Sequence, residues 1–221
     1  MNEPQRTQFP KVRSAVPSSP MATNIESLLH CTDLTISPKT IVELAKTIDV
    51  DLQAGYQQLI TIDQDIGGVG LHNIHRRDGE YFTGNYRVEF RPLFRPIQYV
   101  FAWVTDEDLV WNARRIVQDS CLHVENAVKY RFDIPEGENA SLGVLLSKRT
   151  VTTKLEPSFL VLLRKLNRVV YRTAKHSVED IRIDAHRFTP ADSLAVYLIC
   201  RWAGVRLLEP TGIFNVWKRP A

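Results

Sequence analysis

The chain has 221 residues, 44% hydrophobic and 24% charged, a balance that lets a globular protein bury a core without disulfide or metal staples. Lys and Arg number 28 against 25 Asp and Glu, a formal charge of +3, too small for composition alone to imply nucleic acid. No apolar run is long enough to span a bilayer, and the N-terminus lacks the apolar centre of a signal peptide, so a cytoplasmic protein with no membrane partner is expected.

Residues 1–20 carry four prolines with Ser, Gln and Arg and are expected to be disordered. Ser37-Pro38 has the form of an N-cap with proline at the first helical position, opening a helix through Ile41, Val42, Leu44, Ala45 and Ile48. A shorter helical segment is expected from Leu52 to Ile62. Gly67-Gly68-Val69-Gly70 then breaks the chain; it lacks the Gly-Lys-Ser/Thr of a P-loop and reads as a loop. Tyr86, Val88 and Phe90 alternate with Arg87, Glu89 and Arg91, which predicts a small β-hairpin or extended arm near 81–91. Pro92 and Pro96 predict an irregular exit from that arm. Residues 21–100 thus read as a helical and hairpin N-terminal part, and 101–221 as a helical bundle.

The second half is more regular. Helices are expected over 105–133, 157–176 and 190–203. Ala113, Ile116, Val117, Cys121, Val124 and Val128 form one apolar stripe on the first of these. Its opposite stripe, Asn112, Arg115, Asp119, His123, Asn126 and Tyr130, reads as a solvent-facing polar face. Glu125 is spaced to pair with Lys129, and Asp119 to orient the His123 ring. Pro135-Glu136-Gly137 is expected to end that helix, and Asn139 to cap a short one holding Leu142, Val144, Leu145 and Leu146. The last helix has Thr189 as N-cap, Pro190 at the first position, Asp192 in the capping-box place and Gly204 just past its end. Leu162, Leu163, Leu166, Val170, Leu194 and Leu198 are the expected core. The fold class that follows is mainly α, an antiparallel helical bundle.

Cysteine and histidine usage points to no metal and no cofactor. Cys31, Cys121 and Cys200 lie far apart without a CxxC pair, and read as buried thiols in a reducing compartment. His72 and His75 stand in a loop-like stretch without a ligand pattern. His186 and Arg187 precede the last helix.

One helix carries chemistry. Arg164, Arg168, Arg172 and His176 recur every four residues, each displaced about 40° around the axis from the one before. They form a slanted basic ridge with Lys165 and Lys175 beside it and Lys148, Arg149 and Lys154 upstream. Three readings stay open: a solvated face, a phosphate-binding surface of Arg164, Arg168 and Lys175, or a protein interface. Arg172 and His176 add a catalytic option, the arginine holding a phosphate and the imidazole moving a proton.

The words CLHVENAVKY at 121–130 and LNRVVYRTAKH ending at His176, with the capped final helix, resemble the HEPN family, the higher-eukaryote and prokaryote nucleotide-binding domains. That resemblance implies a dimerising four-helix core in a bacterial defence, toxin–antitoxin or regulatory setting, and often a metal-independent ribonuclease. Members place four to six residues between the active-site arginine and histidine; three separate Arg172 from His176 here. The expectation is therefore a HEPN-like protein that binds RNA, a protein partner or its own copy. Alternatives are a metal-independent ribonuclease using Arg172 and His176, or an interaction module built on the aromatic residues of the 81–103 arm.

Overall fold

The computed structural model describes residues 22–67, 91–105, 109–135, 138, 140–168 and 188–216, and every regular element among them is helical. The helices are α1 (Ala22–Leu29), α2 (Pro38–Val50), α3 (Leu52–Gly67), α4 (Arg91–Val104), α5 (Leu109–Arg131), α6 (Leu142–Leu145), α7 (Arg149–Thr152), α8 (Pro157–Leu166), α9 (Pro190–Leu208) and, after a 3₁₀ turn, α10 (Ile213–Val216). The protein is mainly α. The hairpin expected near 81–91 lies outside the described residues except at Arg91.

Local chemistry starts and stops these helices where the side chains allow it. Ser37 caps α2 by accepting from the Thr40 N–H at 3.2 Å, with Pro38 in the first turn. Ile41, Leu44, Ala45 and Ile48 face the core, as the spacing predicts. A single residue, Asp51, joins α2 to α3. Its N–H bonds the Thr47 carbonyl at 2.7 Å, and its Oδ1 accepts from the Ala54 N–H at 3.0 Å. So tight a corner drives the second helix onto the first. A Cβ on Gly55 would fall 2.6 Å from the Ile48 nitrogen, so only glycine fits there.

The stretch from Arg91 to Val104 overturns the expected irregular exit: it is a helix with a buried face. Leu93, Phe94, Ile97, Val100, Phe101 and Val104 all lie in the core, spaced at three and four residues along α4. Pro92 sits in the first turn, where its missing N–H costs nothing. Pro96 is inside the helix and removes the N–H that would bond the Pro92 carbonyl. Helix α5 supplies the replacement, Asn126 Nδ2 donating to the Pro92 carbonyl at 2.7 Å.

That contact belongs to a larger correction. The polar stripe of α5, expected in solvent, is laid against α4. Asn112 donates to the Trp103 carbonyl at 3.3 Å, Asp119 accepts from the Trp103 indole at 2.7 Å, and His123 Nδ1 meets the Leu93 carbonyl at 2.7 Å. Arg115 stacks on the Trp103 ring at 4.7 Å. Asp119 therefore binds an indole rather than orienting His123. Burial raises its carboxyl above the usual range, against the indole hydrogen bond and the Arg115 charge. The apolar stripe of α5 packs on the other side as expected, with Ala113, Ile116, Val117, Cys121, Val124 and Val128 buried.

The end of α5 is set by Asp133, which takes the left-handed conformation (φ 50°), while the Ile134 N–H reaches back to the Lys129 carbonyl at 2.9 Å. Glu125 pairs with Lys129 at 3.4 Å, as expected, and its other oxygen accepts from the Leu142 N–H at 2.9 Å. That contact supplies the first turn of α6 with the acceptor that Ser141, at its N-cap, does not provide. The expected cap Asn139 lies outside the described residues.

Helix α9 forms the centre. Thr189 and Asp192 make the reciprocal capping box, both bonds at 3.0 Å. From Asp192 to Arg201 every residue is buried, so this helix is enclosed on all sides rather than along one stripe. Gly204 does not end it. The helix continues to Leu208, and the left-handed glycine of this region is Gly212 (φ 71°), after the 3₁₀ turn. What Gly204 does is admit His123: a Cβ there would lie 2.2 Å from the imidazole Nε2.

Candidate functional site

Helix α8 buries Leu160, Leu162, Leu163 and Leu166 and turns Val161, Arg164, Lys165 and Arg168 outward. The α-helix ends at Leu166 and widens into a π turn at 167–168, a geometry found often at functional positions. Arg172, Lys175 and His176, and with them the expected catalytic pair, lie outside the described residues, as do Val170, His72, His75, His186 and Arg187.

The described part of the ridge is cationic and open. Arg164 Nη2 reaches the Leu146 carbonyl at 3.5 Å, which brings α8 beside the turn that carries Lys148 and Arg149. Gly143 and Asn167 touch in the same seam: a Cβ on Gly143 would sit 3.0 Å from the Asn167 amide nitrogen. Among the described residues no carboxylate pairs with Arg149, Lys154, Arg164 or Arg168. Two other cations are engaged. Lys148 pairs with Glu138, and Lys165 points to the Cys31 thiol at 3.7 Å. That thiol is exposed, a correction to the expectation of three buried cysteines; Cys121 and Cys200 are buried.

Among the described residues the densest cluster of titratable groups is elsewhere, and sequence reading missed it. Asp63 on α3 accepts from Arg201 Nε at 2.8 Å and from the Tyr197 hydroxyl at 2.5 Å, both on α9. Arg201 Nη1 donates to His123 Nε2 at 2.9 Å. Arginine has no acceptor and a carbonyl has no proton, so one tautomer satisfies both ends of the ring. The Nδ1–H donates to Leu93, and the Nε2 lone pair faces Arg201. His123 is therefore neutral. Burial first, and the Arg201 charge second, push it down to about 3, against the Leu93 hydrogen bond and the Asp63 charge. Burial is the strongest single influence on Arg201 and opposes its charge, but the Asp63 charge, Tyr197 and the hydrogen bonds to both together raise its pKa, so it stays charged. Burial and the Asp63 charge push the Tyr197 phenol well up, so it remains a donor.

This network is sealed. Asp63, His123 and Tyr197 are 0% exposed and Arg201 is 1% exposed, so no substrate reaches it. Its work is to tie α3, α4, α5 and α9 together. A signal for it was present in LAVYLICRWAGV, where Arg201 is the one charge in an otherwise apolar helix segment.

A surface hollow of about 550 Å³ lies between the start of α4 and the end of α5, lined by Pro92, Leu93, Asn126, Lys129, Tyr130, Asp133, Ile134 and Pro135. Its Asn126 and Lys129 are engaged with Pro92 and Glu125, so they do not converge on the opening. Among the described residues no group of His, Cys, Asp and Glu is arranged to hold a metal, and no helix is long and apolar enough to cross a membrane. Comparisons with protein-family models, curated proteins and solved structures find no match.

Proposed function

We propose that the protein binds RNA through the outward face of α8. The observation that carries this reading is the state of Arg164 and Arg168. Both are exposed, and neither is neutralised by a carboxylate among the described residues, although buried Arg201 and half-buried Lys148 each have one. Guanidinium groups left in that condition match phosphate oxygens with paired donors. Their spacing of one helical turn, about 6 Å of rise, suits neighbouring phosphates on one strand. Arg149, on the turn that Arg164 reaches, adds to the same charge. In the HEPN-like form of this reading RNA is the ligand, or the substrate of Arg172 and His176.

The test is fluorescence anisotropy of a labelled single-stranded oligoribonucleotide with the purified full chain. Binding in the wild type, weakened at least tenfold in the Arg164→Ala, Arg168→Ala double variant, supports the proposal. Equal affinity in both, or no binding at low salt, rejects it. Cleavage is read in the same samples with chelator present, using His176→Ala as the control.

A second reading is favoured by one observation. Val161 on α8 and Val144 on α6 are 50% and 51% exposed near the arginines, which suits contact with a protein partner or a second copy. Sedimentation velocity of the wild type against Val161→Glu separates this reading from RNA binding.

A further inference from the structure

Helix α9 is enclosed on all sides only as far as Arg201. Beyond it, Trp202, Val205, Arg206 and Glu209 recur at three- and four-residue spacing and form a stripe that is half-buried or exposed. On α3, Ile62, Asp65 and Ile66 share one face in the same way. Together with Leu34 and Ile36 of the α1–α2 connection, the two stripes line one surface hollow of about 380 Å³. Its floor is apolar, with Leu34, Ile36, Ile62 and Ile66 packed half-buried against the core. Its rim is acidic. Three carboxylates, Asp33, Asp65 and Glu209, stand against one guanidinium, Arg206, which leaves the rim at −2 in a chain of net charge +3. Arg206 is already held: its Nη2 donates to Asp33 Oδ2 at 2.5 Å, and its head lies over the Trp202 ring, 5.4 Å from the centroid. The other Asp33 oxygen accepts from the Trp202 indole, so these contacts fix one wall of the hollow. Among the described residues no cation pairs with Asp65 or Glu209.

We propose that this hollow docks a segment of a partner protein in which a large apolar side chain is flanked by lysine or arginine. The apolar side chain lies on the floor of Ile36, Ile62, Ile66 and Val205, and the flanking cations reach Asp65 and Glu209. Charge selects the occupant. A carboxylate rim repels phosphate, so neither RNA nor an anionic lipid headgroup fits here. The site is thus opposite in chemistry to the cationic face of α8 and stands independently of RNA binding. Shape selects a peptide over a free small cation. Small-molecule sites bury most of their ligand, whereas Asp33, Asp65, Arg206 and Glu209 are all exposed. A chain can therefore cross the rim in both directions and bury only its anchor side chain.

The test uses the full chain and follows the Trp202 indole N–H by proton–nitrogen correlation NMR, its peak assigned with Trp202→Phe. That N–H bonds Asp33 in the wall of the hollow, so it reports occupancy there. The probe is the acetylated, amidated peptide Gly-Lys-Leu-Phe-Arg-Gly, titrated at low salt. The expected result is a saturable shift of the indole peak. It should vanish when serine replaces the leucine and phenylalanine of the peptide, or glutamate its lysine and arginine. Affinity should fall at least roughly threefold in the Asp65→Asn, Glu209→Gln double variant, which loses two exposed ion pairs; both positions are exposed, and circular dichroism checks that the fold is kept. No saturable shift, equal binding of the serine peptide, or unchanged affinity in the folded variant overturns the proposal. Two other outcomes give the hollow a different occupant and overturn it too. An indole peak that moves with protein concentration alone assigns a second copy. One that moves in Lys11→Glu, Arg13→Glu without peptide assigns the chain's own residues 1–21.

Discussion

Gly204→Ala should destabilise the protein, although alanine is the better helix former. In an open helix interior the exchange gains about 1 kcal/mol. Here the new methyl would lie 2.2 Å from His123 Nε2 and 2.8 Å from its Cδ2. The ring cannot step aside freely, because Leu93 holds one nitrogen at 2.7 Å and Arg201 the other at 2.9 Å. Overpacking a core typically costs about 1–3 kcal/mol. Losing a hydrogen bond from a buried guanidinium adds about 1.5–3 kcal/mol. With the helix gain subtracted, the net loss is about 2–5 kcal/mol, read as a lower urea midpoint at unchanged slope. In a His123→Ala background the same substitution should cost at least 1 kcal/mol less, roughly the coupling expected of residues in contact. A variant stabilised by about 1 kcal/mol, or two additive substitutions, would refute the packing argument.

Three further outcomes follow from the same contacts. Asn126→Leu should cost about 1–3 kcal/mol by stranding the Pro92 carbonyl, and Pro96→Ala should remove most of that cost by restoring the N–H that bonds it; additivity of the two would show that the amide does not serve the proline gap. Stability should fall with acid between pH 6.5 and about 3, because folded His123 is held down to about 3 by burial and the unfolded chain takes up the proton first. The loss attributable to this group is about 2 kcal/mol at pH 5, and His123→Gln should flatten the dependence seen by urea titration at several pH values. Asp63→Asn should destabilise by about 3–5 kcal/mol, since it leaves the buried Arg201 charge uncompensated; a change under 1 kcal/mol would mean that the network contributes little.

Elements announced by cap chemistry were legible in the sequence. Ser37-Pro38 and Thr189-Pro190 each combine an N-cap with a proline whose missing N–H is harmless, and both helices begin there. The leucines of α8 and α9 were legible from spacing. Helix α4 was not, because two prolines in six residues signal breakage by local rules, and only Asn126, thirty residues later, makes the second tolerable. The polar stripe of α5 was misassigned for the same reason. A polar residue at helical spacing reads as solvent-facing unless the backbone carbonyls and the indole that will receive it are known. Gly204 resembled a stop signal, since a sequence cannot show an imidazole arriving from position 123. Of the expected ridge, Arg164 and Arg168 lie among the described residues, and both are exposed.

The salt dependence of RNA binding tests that ridge most directly. Each phosphate contact on a single strand contributes about 0.7 to the slope of log affinity against log salt. Wild-type protein and the Arg164→Ala, Arg168→Ala variant, titrated against one oligoribonucleotide across a range of salt, should differ in slope by about 1.4, with the fold unchanged by circular dichroism. Identical slopes in two folded proteins would contradict the account.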